Sequence, residues 1–187
     1  RHQEHARQVI KGLSKNKNVY CEKPLALNIQ ELEEIKTAYL QNSAKLMVGF
    51  NRRFAPLIIQ MKKFISASAE PKRMHYRVNA GFLPLSHWLH DAEQGGGRII
   101  GEGCHFIDLL IYFSESYPVS VRTYGLPDNG KYKEDNVVML FTFADGSLGT
   151  VEYLANGDKS VPKEMIEIFS GGRVAALEDY RKLITVH

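Results

Sequence analysis

The stretch VYCEKPLALN, residues 19–28, decides how the amino-terminal part of the chain folds. Its apolar start, Val19–Cys21, is typical of a short buried strand, and a charged Glu-Lys-Pro turn follows directly. Asn28 with Glu31 has the spacing of a helix capping box. An amphipathic pattern over 3–13 precedes this stretch. The order helix, strand, helix, strand therefore predicts part of a doubly wound parallel α/β layer.

The flanking elements carry specific expectations about burial. We expect the helix that begins at Asn28 to end near Asn42 and to turn Ile29, Leu32, Ile35 and Tyr39 inward. The run KLMVGF, residues 45–50, predicts a second buried strand.

The pattern changes after residue 50. A helix is predicted over 56–66 with the apolar stripe Leu57, Met61, Phe64 and Ile65. Alternating apolar residues over 73–80 indicate a half-exposed strand, and the apolar run over 103–114 indicates a buried helix. Further strands are predicted over 120–124, 136–143, 147–154, 164–169 and 173–177. The fold class is therefore α/β plus α+β, with an open, mostly antiparallel sheet backed by helices after a boundary at 49/50.

The sheet also predicts how the protein assembles. Val138, Leu140, Phe141 and Phe143 lie close together along one strand. We expect one face of the sheet to pack on the helices and the other to keep apolar residues exposed, namely Met139, Val151, Tyr153 and Ile166 or their neighbours. Since large exposed apolar patches usually mark interfaces, we expect a homodimer or homotetramer built through this face.

Composition excludes several classes of protein. The 187 residues contain 24 Lys and Arg against 21 Asp and Glu, a net charge of +3, which is too small to favour a nucleic-acid or membrane surface. Two cysteines do not form a disulfide framework, so a reducing cytoplasm is the simpler expectation. The chain starts at Arg1 without Met, and we expect it to be a fragment.

Three constellations could carry chemistry. Glu22-Lys23-Pro24 follows a predicted parallel strand, where ligands of α/β sheets bind, although a solvated Glu–Lys pair is a simple alternative. Glycines 95–97 lead to His105 at the start of a buried helix, where it is either a general acid/base or a hydrogen-bonded core residue. Arg52 follows the second strand and could equally be part of a basic linker.

Other common sites do not fit the sequence. The glycine-rich stretch over 95–103 follows no strand and lacks the Lys-Ser/Thr ending of a phosphate loop. The cysteines and histidines show no spacing typical of structural zinc, so we expect no metal site.

Taken together, these motifs resemble one family. CEKPLA (21–26), VGFNRRF (48–54) and GGG…HFIDLL (95–110) are similar, in order and spacing, to the glucose-fructose oxidoreductase / inositol dehydrogenase / rhizopine-catabolism (Gfo/Idh/MocA) family. The resemblance runs from His2 to about Leu183. It implies that residues 1–49 are a remnant of an NAD(P)-binding Rossmann domain and that 50–187 form a substrate and dimerisation domain.

The resemblance also implies roles for single residues. Lys23 would contact the reacting hydroxyl or carbonyl near the nicotinamide, and His105 would be the proton donor or acceptor; these are the implied catalytic residues. Glu22, Lys23 and Pro24 would lie against NAD or NADP, while Arg52, Glu102 and Trp88 would lie near a carbohydrate-type substrate. The stretch around Asn79–Phe82 and Trp88 resembles a subgroup associated with surface-polysaccharide gene products.

Two departures from the family pattern matter. Members often carry an aspartate four residues before the histidine, but this chain has Gly101, with Glu102 beside it. Either Glu102 substitutes for the aspartate, or His105 works without a carboxylate partner. The Gly-x-Gly-x-x-Gly loop that holds a dinucleotide pyrophosphate is also missing from these 187 residues, so we expect them to be inactive alone.

Two other functions stay open. The chain could be a non-enzymatic module that dimerises or binds a carbohydrate, as the missing glycine loop suggests. It could also be an NAD-dependent glycosidase of the same family, which uses the cofactor for a transient oxidation. Retention of both Lys23 and His105 favours an oxidoreductase that transfers a hydride to or from a sugar, polyol or sugar-nucleotide.

Overall fold

The computed structural model describes residues 1–187, which form two compact units. The first unit consists of residues 1–50 and 86–105, and the second of residues 51–85 and 106–187. No helix is both long and apolar enough to cross a membrane.

The first unit contains a small parallel sheet with two helices. Its elements are α1 (His5–Leu13), β1 (Val19–Cys21), α2 (Ile29–Leu40) and β2 (Leu46–Val48). Strands β1 and β2 pair in parallel, with Tyr20 opposite Met47. The predicted order helix, strand, helix, strand is confirmed, and this region is part of a parallel α/β layer.

The start of α2 follows its sequence signature. The side chain of Asn28 accepts a hydrogen bond from the Glu31 amide at 2.9 Å, and the Glu31 carboxylate accepts one from the Leu27 amide at 2.8 Å. The first bond satisfies an amide that the first helical turn leaves without a partner, and the second ties the residue before the cap to that turn; together they set where α2 begins.

The predicted inward face of α2 is largely wrong. Ile29, Leu32 and Tyr39 are exposed by 75%, 41% and 44%, whereas Ile35 and Ala38 are buried. Helix α2 packs on α1 through this narrower stripe, which belongs to the same apolar cluster as Ala6, Val9 and Leu13 of α1. The larger apolar residues Ile29, Leu32 and Tyr39 remain outside this cluster.

The buried strand predicted over 45–50 is shorter and more exposed than expected. Only Leu46–Val48 form the strand, and Met47 is 49% exposed, beside the 59% exposed Tyr20. The neighbouring Val19, Cys21 and Leu46 pack in the helix cluster. Since side chains alternate across a strand, one face of this two-stranded sheet is covered and the other is open.

The second unit is built on a seven-stranded sheet. Its elements are α3 (Pro56–Ile65), β3 (Arg73–Asn79), α4 (Cys104–Ser114), β4 (Pro118–Gly125), β5 (Asn136–Phe143), β6 (Leu148–Leu154), β7 (Glu164–Ser170), β8 (Arg173–Glu178) and β9 (Lys182–Val186). The strand order is β4-β5-β6-β3-β7-β8-β9, and every neighbouring pair is antiparallel except β3 with β6. Helix α4 enters this unit at Phe106.

The predicted strands are confirmed, and β9 is an additional edge strand that the sequence analysis did not identify. The turns between β5 and β6 and between β7 and β8 place Gly146, Gly171 and Gly172 at φ values of 85°, 52° and 76°. Residues without a β-carbon adopt this left-handed region freely, which explains glycine at these turns.

The inner face of the sheet forms the core with the helices. Ile58, Met61 and Ile65 of α3 are fully buried, so the predicted stripe is correct at two positions and Ile58 takes the place expected for Leu57. Phe106 of α4 packs edge-on against Tyr76 of β3 at 5.0 Å between ring centroids.

The prediction that one face of the sheet keeps apolar residues exposed is correct for the neighbours of the named residues and wrong for the named residues themselves. Met139, Val151, Tyr153 and Ile166 are all at most 4% exposed and belong to the core. Their neighbours form the outer face, on which these apolar residues are exposed by 39–57%: Val138, Leu140, Leu148, Phe169, Ile184 and Val186. In strand β5 both the odd-numbered and the even-numbered residues are mostly apolar, so its sequence alone could not decide which residues point inward.

Candidate functional site

Lys23 is held by the main chain of a distant segment of the first unit. It lies just beyond the carboxyl end of β1, and its Nζ atom donates a hydrogen bond of 2.7 Å to the carbonyl of Gly101. The Lys23–Pro24 peptide bond is cis. The contact joins two of the three motifs quoted from the sequence, 78 residues apart.

Glu22 lies on the exposed side of the same turn. Its Oε1 atom accepts a hydrogen bond of 3.0 Å from the hydroxyl of Tyr20, two residues earlier on β1. The carboxylate is thereby presented at the carboxyl end of a parallel strand, the edge of the sheet at which ligands of this fold class bind.

Two histidines of the first unit contact main-chain carbonyls, one in the Lys23 turn and one in the 86–105 segment. His5 contacts the carbonyl of Pro24 through Nδ1 at 2.6 Å, and His2 contacts the carbonyl of Gly95 through Nδ1 at 2.9 Å. Their ring centroids are 5.7 Å apart. Neither is among the site residues predicted from the sequence, although their i, i+3 spacing at the start of a helix places both rings on one side of it.

Gly101 has no room for a side chain. A β-carbon at this position would lie 2.6 Å from Cδ1 of Leu89 and 3.0 Å from Cε1 of His2. The imidazole of His2 therefore occupies part of the space that any side chain at position 101 would need.

His105 is the second residue of α4 and is 93% buried, with a relative exposure of 7%. A single π-helical turn, Ile99–Gly103, leads into the helix. The ring of Phe50 lies edge-on to the imidazole with 6.3 Å between centroids. Phe50 ends the first segment of this unit, so His105 packs against a residue of the second quoted motif.

The two carboxylates nearest His105 in the sequence both bind arginines. Glu102 accepts hydrogen bonds from Nε and Nη2 of Arg98 at 3.2 and 3.1 Å, within the same turn. In the second unit, Asp108 accepts a bidentate pair from Arg53 at 2.6 and 2.7 Å. Charge-assisted pairs of this kind hold each carboxylate in one orientation.

Trp88 belongs to the first unit and lies beside His2. Its ring meets the His2 ring edge-on at 4.9 Å, and the guanidinium of Arg1 lies 5.6 Å from its centroid. The structure thus brings Trp88, Glu22, Lys23, Glu102 and His105 into the same unit.

Arg52 belongs to the second unit, in a buried polar cluster. Its guanidinium makes a bidentate ion pair with Glu164 at 2.6 and 3.0 Å, and lies 5.0 Å from the centroid of Phe106. The hydroxyls of Tyr76 and Tyr180 also donate to the Glu164 carboxylate. Nε and Nη2 of Arg52 are both directed at this carboxylate.

Electrostatics follow from these contacts. Burial alone would raise the pKa of Glu164, but the hydrogen bonds and charge of Arg52, with the two tyrosine hydroxyls, outweigh it and hold the pKa below its ordinary value. Burial lowers the pKa of His2 below 6.5, against the opposing bond to Gly95, and the charges of Lys23 and His5 add to the lowering. His2 is therefore mainly neutral at neutral pH.

A cavity of about 570 Å³ lies elsewhere in the second unit, beyond the ends of β3 and β8. It is lined by residues that include Asn79, Lys159, Lys163, Asp179 and Arg181. None of the site residues predicted from the sequence lines it.

Comparison with family models shows two matches along the chain. Residues 1–50 match the model described as "Oxidoreductase family, NAD-binding Rossmann fold", and residues 60–169 match "GFO/IDH/MocA C-terminal domain".

Similar proteins include sugar and polyol dehydrogenases. Glucose-6-phosphate 3-dehydrogenase of Bacillus subtilis (strain 168) is 30% identical over 153 residues, covering 77% of this chain and 43% of the relative. The scyllo-inositol 2-dehydrogenase (NAD(+)) of the same organism is 27% identical over 156 residues, covering 79% of this chain and 44% of the relative. The chain thus spans a little under half the length of these two relatives.

Among solved structures, levoglucosan dehydrogenase in complex with NADH and levoglucosan has the same fold. It superposes with a TM-score of 0.83 at 23% identity, covering 98% of this chain and 55% of that one.

Proposed function

Because the chain belongs to the GFO/IDH/MocA family of oxidoreductases, we propose that it carries the hydride-transfer site of an NAD(H)-dependent dehydrogenase. The proposed substrate is a sugar, polyol or sugar-nucleotide, a class supported by what its relatives act on. The observation that carries the proposal is the hydrogen bond from Lys23 to the Gly101 carbonyl, which ties the Glu-Lys-Pro turn to the segment that ends in His105.

The residues present fit the nicotinamide end of the cofactor. When bound, NAD(H) supplies the acceptor or donor of the hydride. The carboxylate of Glu22 offers hydrogen-bond acceptors for ribose hydroxyls or the carboxamide, and Lys23 and Pro24 complete the turn at the carboxyl end of β1. The printed residues contain no Gly-x-Gly-x-x-Gly loop, so we assign the activity to a polypeptide that also supplies one. We expect residues 1–187 alone to be inactive.

Lys23 and His105 divide the remaining chemistry between them. Oxidation of a carbinol moves a hydride and its electron pair off carbon while the hydroxyl proton leaves the oxygen. The ammonium of Lys23 stabilises the negative charge that develops on that oxygen, and the imidazole of His105 takes the proton. Reduction of a carbonyl runs the same steps in reverse.

We propose that His105 acts as the proton donor or acceptor although position 101 carries no carboxylate to assist it. The space beside Gly101 is filled by Leu89 and His2, and the Glu102 carboxylate binds Arg98. Glu102 and Trp88 remain proposed substrate contacts of the first unit.

Arg52 is proposed to act by anchoring residues 51–54 rather than by touching substrate. Its bidentate pair with Glu164 and its position over Phe106 support this assignment. A bidentate pair with a buried carboxylate fixes the position and orientation of the guanidinium.

We propose that a second copy of the chain covers the outer face of the sheet, giving a homodimer or a dimer of dimers. Besides the exposed apolar residues, this face carries His75 within 3.3 Å of Glu152 and 3.7 Å of Glu167. Arg73 and Arg77 share the face, since they pair across from Leu148 and Glu152. Charges of both signs on one surface can complement each other across a two-fold axis. We place the protein in the cytoplasm because two cysteines form no disulfide framework.

An NADH absorbance assay tests the proposed activity, in a polypeptide that joins residues 1–187 to a dinucleotide-binding loop. We expect NAD⁺-dependent oxidation of sugars or polyols, and its loss when both Lys23 and His105 are replaced. Carbohydrate binding without any turnover of the cofactor would instead identify a non-enzymatic module.

A further inference from the structure

The His2 ring lies against Gly101, the residue whose carbonyl binds Lys23. A β-carbon on Gly101 would be 3.0 Å from Cε1 and 3.4 Å from Nδ1 of His2, so the imidazole is in contact with this glycine. The Gly101 carbonyl in turn accepts the hydrogen bond from Lys23 at 2.7 Å. His2 and Lys23 therefore approach the same glycine, one from its α-carbon and the other from its oxygen.

Hydrogen bonding defines the proton positions on the His2 ring. The carbonyl of Gly95 can only accept, so Nδ1 at 2.9 Å carries a proton and donates it. In the neutral ring the lone pair is then on Nε2. Protonation at Nε2 would give the ring a positive charge without breaking the bond to Gly95.

The charged neighbours of His2 are all positive. Lys23 and the basic side chain of His5 act on it, while Trp88 and Gly95 contact it from the 86–105 segment without charge. Burial is the largest cause that holds the pKa of His2 below 6.5, and the charge of Lys23 adds to the lowering. A proton on His2 would be placed beside the Lys23 ammonium without a carboxylate among these neighbours to offset it.

Building on the proposed role of Lys23, we propose that His2 is a positioning residue for this lysine and makes its placement sensitive to pH. Neutral His2 fills the space beside Gly101, and the Gly101 carbonyl accepts its hydrogen bond from Lys23. Protonated His2 sets a second positive charge beside the ammonium and weakens the hold of Gly101 on Lys23. Interaction between two charges is reciprocal, so removal of Lys23 makes His2 easier to protonate.

Nitrogen-detected NMR of the histidine rings tests this inference in the 187-residue chain, without cofactor or turnover. In the wild-type chain we expect the neutral His2 ring to carry its proton on Nδ1 and to titrate below pH 6.5. In Lys23→Met we expect the midpoint to rise by about half a pH unit or more. Lys36→Met, which removes an exposed lysine of α2, is the matched control and should leave the midpoint unchanged.

A second measurement does not depend on the variant folding. Raising the salt concentration screens charges, so the His2 midpoint of the wild-type chain should also move upward. Equal midpoints in Lys23→Met and Lys36→Met, together with no salt effect, would overturn the inference, as would a neutral ring protonated on Nε2. Absence of dehydrogenase activity would count against the proposed function alone, because the His2 titration is read without turnover.

Discussion

The Nζ atom of Lys23 and the carbonyl oxygen of Gly101 are 2.7 Å apart, and Gly101 precedes His105 by four residues. The two residues with proposed catalytic roles are thus connected through one main-chain carbonyl and one turn of π-helix. Movement of the Lys23 turn would therefore displace the π-helical turn before His105, and the reverse.

Replacing Lys23 by Met should lower turnover by about 100-fold or more, because one preorganised cation at the reacting oxygen is lost. Steady-state kinetics of the polypeptide that includes a dinucleotide-binding loop would measure this, and NADH affinity should change far less. Lys36→Met, which removes an exposed lysine of the same unit, should behave like the wild type. Near-normal turnover of Lys23→Met would refute the assignment.

Replacing Gly101 by Ala should reduce the free energy of unfolding by about 1–3 kcal/mol, since the new methyl group overlaps Leu89 and His2. Combining it with His2→Ala removes one of these overlaps, so the two changes should couple by about 0.5 kcal/mol or more. Urea denaturation of the single and double variants measures the coupling. Gly130→Ala, where a β-carbon meets no atom within 4 Å, serves as the control.

Replacing Arg52 by Met should destabilise the chain by about 3–5 kcal/mol, because it leaves the Glu164 carboxylate buried without its cation. The exposed pair of Arg7 with Glu4 offers a comparison, since Arg7→Met should destabilise the chain far less than Arg52→Met. Unfolding curves decide whether Arg52 anchors its segment through Glu164 or contacts the substrate. Unchanged stability with lost activity would instead favour a substrate contact.

Stability should fall in acid through Glu164. Its pKa in the folded chain is below the ordinary value of 4.5, so the carboxylate stabilises the fold above that pH. This contribution is lost as the pH drops from 4.5 through the folded-state pKa. Denaturation midpoints measured from neutral pH into acid should therefore decline less steeply for Glu164→Gln than for the wild type, although the variant starts from a lower midpoint. If the midpoints of the variant and the wild type fall in parallel with pH, another carboxylate controls the loss of stability in acid.

The outer sheet face should support self-association. Leu140→Glu places a charge among its exposed apolar residues and should shift the light-scattering mass toward that of one 21.2 kDa chain. Val161→Glu changes a residue of similar exposure, 47% against 41%, in the loop between β6 and β7, and should keep the wild-type mass. A monomeric wild-type chain at micromolar concentration would rule out this interface.

Local signals in the sequence were sufficient for most elements. The Asn28–Glu31 capping box placed the start of α2, alternation over 73–80 identified β3, and glycines marked the turns between β5 and β6 and between β7 and β8. The candidate residues Lys23 and His105 were also found from their motifs. These features depend on contacts between residues near in sequence, which is why they can be recognised without a structure.

Other features depended on contacts that no local pattern reports. Met139 of β5 points inward and Val138 outward, which the sequence could not decide because both are apolar. The place of His2 beside Gly101, and the choice of Glu164 as the partner of Arg52, join residues about 100 positions apart. The sequence by itself determined the order of elements and the chemical groups available. Tertiary structure alone decided which of those groups meet, since burial and charge pairing are properties of the folded chain.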